Sequence, residues 1–406
     1  MKIKHLIHKI PDLVVKGSKE VEITGISSDS NTIVPGNLFI AKKGLNSDGA
    51  KFIPQAISTG AAAILTSIYN PFIKQTQILI DDPGKVEAKL AAKFYGYPSK
   101  KLKVIGITGT KGKTTTSYLI HHLLNALNMP AGLIGTVETI IGAKRFPSTL
   151  TTHDAIRNQK MLSEMLAAGC MAAVMEVSSH GLDQRRVDEI EFDIALFTNL
   201  YPDHLDYHKT LDAYIAAKRK LFAKFMISNG DSKYKFGGLT FGIQSEADIK
   251  ATDIQLNAKG TSFRVNSFPF TTSLMGRFNV YNLLGAISVG LHLGAPLSVL
   301  SEIFSKIPPI PGRLEPVEND LGLHIFVDFA HSGEALENVL STLAEIATRR
   351  LIVLFGCGGD RDPARRKEMA MAAEKWADLV IVTSDNPRHE DPEEICRQIL
   401  NGFKSF

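Results

Sequence analysis

Short, continuous apolar runs recur along the chain, and each is closed by a polar motif. Lys103-Val-Ile-Gly-Ile107 reads as a buried strand, and Thr114 to Leu127 reads as a helix directly after it. Ala172-Ala-Val-Met-Glu-Val177 and Ile194-Ala-Leu-Phe-Thr-Asn199 read as two further strands. His324-Ile-Phe-Val-Asp328, Leu351-Ile-Val-Leu-Phe355 and Leu379-Val-Ile-Val-Thr383 repeat the pattern toward the C-terminus. Apolar runs that do not alternate, with helices between them, belong to parallel sheets covered on both faces. The expected fold class is therefore α/β. In such sheets ligands sit beyond the carboxyl ends of the strands, and almost every polar motif of this chain falls there.

At about 150 residues per domain, 406 residues make two or three domains. Hydrophobic residues at 44% and charged residues at 22% are ordinary for a globular chain and exclude a disordered, collagen-like or coiled-coil one. No apolar run reaches the ~18 residues of a membrane span, and Met1 to Ile10 lacks the apolar core of a secretory signal. A cytoplasmic protein is the expectation. A net charge of +4 does not argue for nucleic acid. The odd cysteine count (Cys170, Cys357, Cys396) contains no CxxC pair, so neither a disulfide framework nor a zinc site is indicated. Boundaries are expected at Lys100-Lys101 and at the stiff joint Ile307-Pro-Pro-Ile-Pro-Gly312. They divide the chain into 1–101, 102–313 and 314–406.

Gly106-Ile-Thr-Gly-Thr-Lys-Gly-Lys-Thr-Thr-Thr116 follows a strand and opens a helix. Glycines let backbone approach a polyphosphate, and the N–H groups at the helix start point at it. Lys113 would reach the β- and γ-phosphates, and the Thr114 hydroxyl would hold Mg²⁺. Ile107 stands where the usual phosphate-loop spacing has a glycine. A bare glycine-rich turn with solvated lysines is the alternative, and the strand–loop–helix context favours nucleotide.

Glu176 ends an apolar strand in Met175-Glu-Val-Ser-Ser-His-Gly181. A carboxylate there could complete a Mg²⁺ shell. It could also hydrogen-bond a loop, but buried glutamates are rare unless partnered. Thr198 to His208 gathers Asp203, His204, Asp206 and His208. That cluster fits a capped helix start as well as it fits metal or phosphate binding. Lys218 lies on an expected helix, and by spacing alone it reads as a solvated lysine.

These pieces, in this order, resemble the Mur ligases. The resemblance runs from about Ile23 to the end. It rests on Thr108-Gly-Thr-Lys-Gly-Lys-Thr114, Met175-Glu-Val-Ser-Ser-His180, Asp203-His-Leu-Asp-Tyr-His208, Gly276-Arg-Phe-Asn279, Pro311-Gly-Arg313, Val327-Asp-Phe-Ala-His331, Phe355-Gly-Cys-Gly-Gly-Asp-Arg361 and Asp385-Asn-Pro-Arg388. It implies three domains: one for the UDP end of the substrate, a central phosphate-loop ATPase with a parallel sheet, and a Rossmann-like domain for the amino acid. It implies an ATP-dependent amide ligase of peptidoglycan precursor synthesis, working through an acyl phosphate. The branch resembled adds meso-diaminopimelate to UDP-N-acetylmuramoyl-L-Ala-D-Glu.

The resemblance also assigns residues. Thr108, Gly109, Thr110, Lys111, Gly112, Lys113, Thr114 and Thr115 match the ATP loop. Asn279, Asn282, Arg313, Asp328 and His331 match positions around adenine, ribose and phosphate. Thr114, Glu176 and His204 match Mg²⁺ ligands, with two ions implied. Lys218 matches a lysine that the family carbamylates, which replaces the solvated reading. Lys113, Lys218, His204 and Glu176 are thus the implied catalytic set. Ser30, Thr151, Thr152, Ser178, Gln184 and Arg186 match the UDP-substrate site. Arg361, Asp385, Asn386, Pro387 and Arg388 match the diaminopimelate site, where an arginine fork can hold the distal carboxylate. Asp391 and Pro392 read as the cap and first turn of a following helix.

Three departures accompany the resemblance. A family segment Gly-Lys-Gly-His-Glu has no match here, so a truncated, incomplete Rossmann-like domain is expected, exposing sheet edge and core. The stretch between Phe222 and Phe241 is short, as though its central strand were compressed into Met226 to Phe236. Asn31 and Leu45-Asn46 replace an arginine and a His-Gln pair of the family's uridine site. Competing readings are a non-catalytic remnant that binds nucleotide, a chain completed by a separate C-terminal fragment, a sibling such as a folylpolyglutamate synthase, and a mechanical or signalling NTPase. Otherwise a monomer is expected.

Overall fold

The computed structural model describes residues 1–44, 47–257 and 259–405. They form two compact units. One comprises Met1–Ser228 with Ser232–Leu239, the other Asn229–Asp231 with Thr240–Phe406.

The first unit contains two sheets. Strands β1 (Val14–Lys16), β2 (Gly25–Ser27), β3 (Asn37–Ile40), β4 (Ala63–Thr66) and β5 (Thr76–Leu79) form a sheet in the order β1-β5-β4-β3-β2. Only the β1–β5 pairing is antiparallel. β3 and β4 are buried along their whole length, including the polar Asn37 and Thr66 at their ends.

The second sheet is built from β6 (Lys103–Thr108), β7 (Ala131–Ile134), β8 (Glu138–Ile141), β9 (Lys144–Pro147), β10 (Ala172–Glu176), β11 (Phe192–Phe197) and β12 (Ala223–Asn229). Their order is β12-β11-β6-β10-β7-β8-β9. The first five of these are parallel. Ile107 pairs with Glu176 on one side and Leu196 on the other, so three motif-bearing strand ends finish level.

One expectation is corrected here. The shortened stretch after Phe222 keeps its strand: β12 lies parallel to β11, with Ile194 opposite Phe225 and Phe197 opposite Ser228. In the stretch that follows β12, Phe236 stacks on Phe197 at 4.1 Å.

In the second unit β13 (Leu239–Gly242), β14 (Ile249–Asn257), β15 (Gly260–Val265) and β16 (Phe268–Thr272) run in sequence order. The long apolar helix Arg277–His292 and the helix Leu297–Ser305 follow. Next come an antiparallel pair, β17 (Glu315–Val317) with β18 (Ile325–Val327), and a parallel pair, β19 (Ile352–Phe355) with β20 (Leu379–Val382). Helices Gly333–Ile346, Ala364–Trp376 and Pro392–Leu400 join the same region. Asp391 caps the last of these through the Glu393 N–H, with Pro392 in its first turn, as expected.

Helical side chains Leu336, Leu340, Met369, Ile395 and Ile399 bury Val353 and Phe355 on one face of the β19–β20 pair. Trp376, the only tryptophan of the chain, packs against this cluster. Coverage of both faces was expected. Instead Ile352, Leu354, Leu379 and Ile381 are 51%, 64%, 43% and 43% exposed. Ile352 lies opposite Leu379 and Leu354 opposite Ile381, so the four make one continuous apolar patch. Among the described residues, no helix is long and apolar enough to cross a membrane.

Candidate active site

The phosphate loop connects β6 to the helix Lys113–Ala126. Gly109 adopts φ 150° and Gly112 φ 85°. A Cβ at Gly109 would stand 1.9 Å from the Thr198 hydroxyl, so only glycine fits. Asn199, at the end of β11, accepts the Lys111 N–H at 2.9 Å and returns a hydrogen bond to the Lys111 carbonyl. Lys113 Nζ folds back to donate to the carbonyls of Gly109 and Thr110, at 2.9 and 3.1 Å.

Glu176 is fully buried at the end of β10. Its carboxylate accepts from Thr114 Oγ1 at 3.0 Å, from the Thr136 N–H at 2.8 Å and from Thr136 Oγ1 at 2.9 Å. Thr136 is not singled out by any sequence motif, but it follows β7 as the other site loops follow their strands. It reaches on to the Thr151 hydroxyl at 3.1 Å.

Lys218 is 1% exposed. Its helix, Leu211–Arg219, is capped by Thr210. Its ammonium donates to the Gly109 carbonyl at 2.8 Å and lies 4.8 Å from the Tyr214 ring. Burial, reinforced by the charge of Lys113, drives its pKa well below the ordinary lysine value, with Asp203 opposing. Tyr214 is a further residue the sequence pattern does not single out. It stands one helical turn before Lys218, and its hydroxyl shares a 3.0 Å hydrogen bond with Thr110 Oγ1.

His204 takes a left-handed conformation, φ 55°, at the start of a short turn of helix. Its ring meets His180 at 4.9 Å and Tyr214 at 6.3 Å. Burial lowers its pKa and Asp203 opposes the shift. Lys113, Thr114, Glu176, Lys218 and His204 thus converge on one end of this sheet. Among the described residues, no group of three or more His, Cys, Asp or Glu is arranged to hold a metal.

The UDP-substrate set divides. Thr152 Oγ1 donates to the Glu176 carbonyl and accepts the Ser178 N–H, at 3.0 and 2.9 Å. Ser178 caps a short helix through the Gly181 N–H. Arg186 and Gln184 pair beside them. Ser30 belongs to the other sheet's loops, where it donates to Gln55 Oε1 at 3.0 Å and Gln55 in turn donates to Asn31. Leu45-Asn46 lies outside the described residues.

In the second unit, Asn279 is buried, donates to the Met275 carbonyl and accepts from Asn282. The Arg313 guanidinium lies 5.3 Å from the Phe329 ring. Asp328 accepts the Leu314 and Ala330 N–H groups, and burial raises its pKa. His331 is exposed and shares a 3.0 Å hydrogen bond with the Phe329 carbonyl.

Two glycine-dependent approaches bind the last two motifs together. A Cβ at Gly359 would lie 1.9 Å from the Pro387 carbonyl, and one at Gly358 would lie 2.8 Å from Arg388 Nη1. Arg388 donates to the Gly359 carbonyl at 2.5 Å, and the Gly359 N–H donates to the Asn386 carbonyl at 2.8 Å. Asp385 and Arg361 stand exposed on these facing loops.

Family models match three stretches: the Mur ligase family, catalytic domain, at 22–95, the Mur ligase middle domain at 107–290, and the Mur ligase, glutamate ligase domain, at 312–405. The UDP-N-acetylmuramoyl-L-alanyl-D-glutamate--2,6-diaminopimelate ligase of Chlamydia caviae is 42% identical over 99% of this chain and 87% of its own length. The protein of the same name from Geobacter sulfurreducens is 37% identical over 99% of this chain and 84% of its own. A solved structure of such a ligase superposes with a TM-score of 0.74 at 30% identity, covering 100% of this chain and 86% of that one. Matches of this extent, together with the level strand ends that carry the motifs, place the chain in the Mur ligase family.

Proposed function

We propose that this chain is an ATP-dependent amide ligase that joins meso-diaminopimelate to the free D-Glu carboxylate of UDP-N-acetylmuramoyl-L-Ala-D-Glu. The observation that carries the reading is the burial of Lys218 against the phosphate-loop carbonyl of Gly109. A plain phosphate-loop NTPase has no use for a lysine there. A desolvated lysine next to a second cation loses its proton readily. The neutral amine can then add carbon dioxide: an N–C bond forms, a proton leaves, and a carbamate anion replaces the cation.

The residues present fit Mg²⁺. Thr114 Oγ1 and Glu176 Oε2, 3.0 Å apart, are hard oxygen donors at the phosphate loop. A second ion would be held by His204 and the carbamate of Lys218. Bound there, Mg²⁺ would neutralise charge on the phosphoryl group in transfer.

The N–H groups at the start of the Lys113–Ala126 helix and the Lys113 ammonium would hold the ATP phosphates, while Asn199 fixes the preceding loop through the Thr110 and Lys111 N–H groups. An oxygen of the substrate carboxylate takes the γ-phosphoryl group and ADP leaves. The diaminopimelate amine attacks the acyl carbon, and collapse of the tetrahedral adduct gives the amide and phosphate. Thr151, Thr152, Ser178, Gln184 and Arg186, with Ser30, position the nucleotide-linked acid. Asn279, Asn282, Arg313, Asp328 and His331 serve ATP. Arg388, with Arg361 and the Asp385–Pro387 turn, takes the distal carboxylate of the diacid, which lysine lacks. This reading keeps three functional parts, 1–101, 102–313 and 314–406, and a cytoplasmic setting where ATP and the UDP precursor are both available.

The test is ADP release by the chain with ATP, Mg²⁺ and the UDP-dipeptide, with diaminopimelate present, replaced by lysine, or omitted. Release is expected only with diaminopimelate, and Lys113→Ala should abolish it. Release with no acceptor, or undiminished turnover in Lys113→Ala, would overturn the reading.

A further inference from the structure

We infer that Tyr207 is a positioning residue that fixes the orientation of the Gln184 amide, and through it the Arg186 guanidinium that receives the acyl substrate. The inference rests on the proposed assignment of Arg186 to the nucleotide-linked acid. Tyr207 itself has no role in that assignment.

The guanidinium has five N–H donors. Nε and Nη2 of Arg186 donate to Gln184 Oε1 at 3.2 and 2.7 Å, and Nη1 donates to the Thr152 carbonyl at 2.8 Å. Two N–H groups remain for an anion such as a carboxylate or phosphate of the substrate. The arrangement needs Gln184 to turn its oxygen toward Arg186. An amide can flip, and the flipped form would set NH₂ against guanidinium, donor against donor.

Arg186 disfavours the flipped form from one side, and Tyr207 anchors the other end of the amide. Gln184 Nε2 lies 3.2 Å from the Tyr207 hydroxyl, and that hydroxyl lies 3.0 Å from Asp183 Oδ2. Asp183 is anionic, held below the ordinary carboxyl range chiefly by the hydrogen bond from Lys220 at 2.7 Å. A carboxylate only accepts, so the single hydroxyl proton of Tyr207 points at Asp183. The phenol oxygen must then accept from Gln184, which places the Gln184 NH₂ toward Tyr207 and its carbonyl toward Arg186. The order of protons is set from Lys220 through to Arg186, and no member has a second choice.

Tyr207→Phe removes the acceptor of the Gln184 NH₂, so the amide is held from the Arg186 side alone and the pair is free to swing. The expected result is about a tenfold rise in the KM and Kd for the UDP-dipeptide, the size of one hydrogen bond to a charged group. The KM for ATP, kcat and thermal midpoint should stay close to wild type. Asp183→Asn, which frees the Tyr207 proton, should move the same constants in the same direction. In an Arg186→Ala background Tyr207→Phe should have no further effect, because its influence passes through that guanidinium. A simple packing role would add its cost in both backgrounds and lower the thermal midpoint. Equal effects on ATP and dipeptide, an additive double variant, or unchanged dipeptide affinity would each overturn the inference. If wild-type protein fails to bind the UDP-dipeptide in a titration, the assignment of Arg186 falls and this inference falls with it. If wild type binds and Tyr207→Phe binds equally well, only the positioning role falls.

Discussion

Gly109 carries two demands at once: a backbone torsion that L-residues rarely adopt, and a wall, Thr198 Oγ1, where any Cβ would go. Gly109→Ala should therefore displace the loop, with a loss of ATP-dependent turnover of about a hundredfold, the scale of a misplacement near 1 Å. ADP release under saturating substrates measures it, and turnover near wild type would refute the steric account. Single residues were legible in the sequence to differing depths. Lys113, Thr114 and Glu176 announce themselves by sitting just past apolar strands. Lys218 does not, because a lysine on an amphipathic helix looks the same whether its tip meets water or a buried carbonyl. Thr136, Tyr214 and Asn199 carry site geometry through hydroxyl and amide groups that no motif marks, and only the folded register brings them to Glu176 and the loop.

The turn that precedes the helix Ala155–Ala167 contains His153, whose ring nitrogen Nε2 is buried and, among the described residues, has no hydrogen-bond partner. Burial first, then the charge of Arg157, brings its pKa down to about 4 from the ordinary 6.5. The unfolded chain therefore takes up this proton before the folded one does. Stability contributed by neutral His153 is complete above pH 6.5 and is lost as pH falls toward about 4. His153→Leu should flatten the stability profile across that window, as read by urea unfolding at neutral and mildly acidic pH. An unchanged slope would contradict the assignment. The strands with long apolar runs were readable, since β6, β10, β11, β19 and β20 lie within a residue or two of those runs, while β1 to β5, β7 to β9 and β13 to β17 carry shorter or mixed segments that the sequence reading did not single out. β12 was not readable either, since Ala223–Asn229 mixes Lys and Ser with its apolar residues and owes its place to pairing with β11. Antiparallel pairing of β18 with β17 was equally hidden, because an apolar tripeptide does not specify its partner.

Across the molecule, α/β class follows from apolar runs, whereas coverage of each sheet face depends on contacts far apart in sequence. That is why the bare face of Ile352, Leu354, Leu379 and Ile381 departs from the parallel-sheet rule of two covered faces. A patch of four aliphatic side chains on a two-stranded sheet invites association. Sedimentation velocity should show concentration-dependent self-association that Leu354→Glu with Ile381→Lys removes, at a stability change of about 0.5 kcal/mol or less, since both positions face solvent. Identical sedimentation of the two proteins would rule this out. Trp376 is the single indole of the chain and lies in the second unit. Its emission is consequently an optical address. Any shift in tryptophan colour or quenching during heating, denaturation or ligand addition reports the packing around the Ala364–Trp376 helix, while the phosphate-loop sheet carries no indole and is followed by circular dichroism.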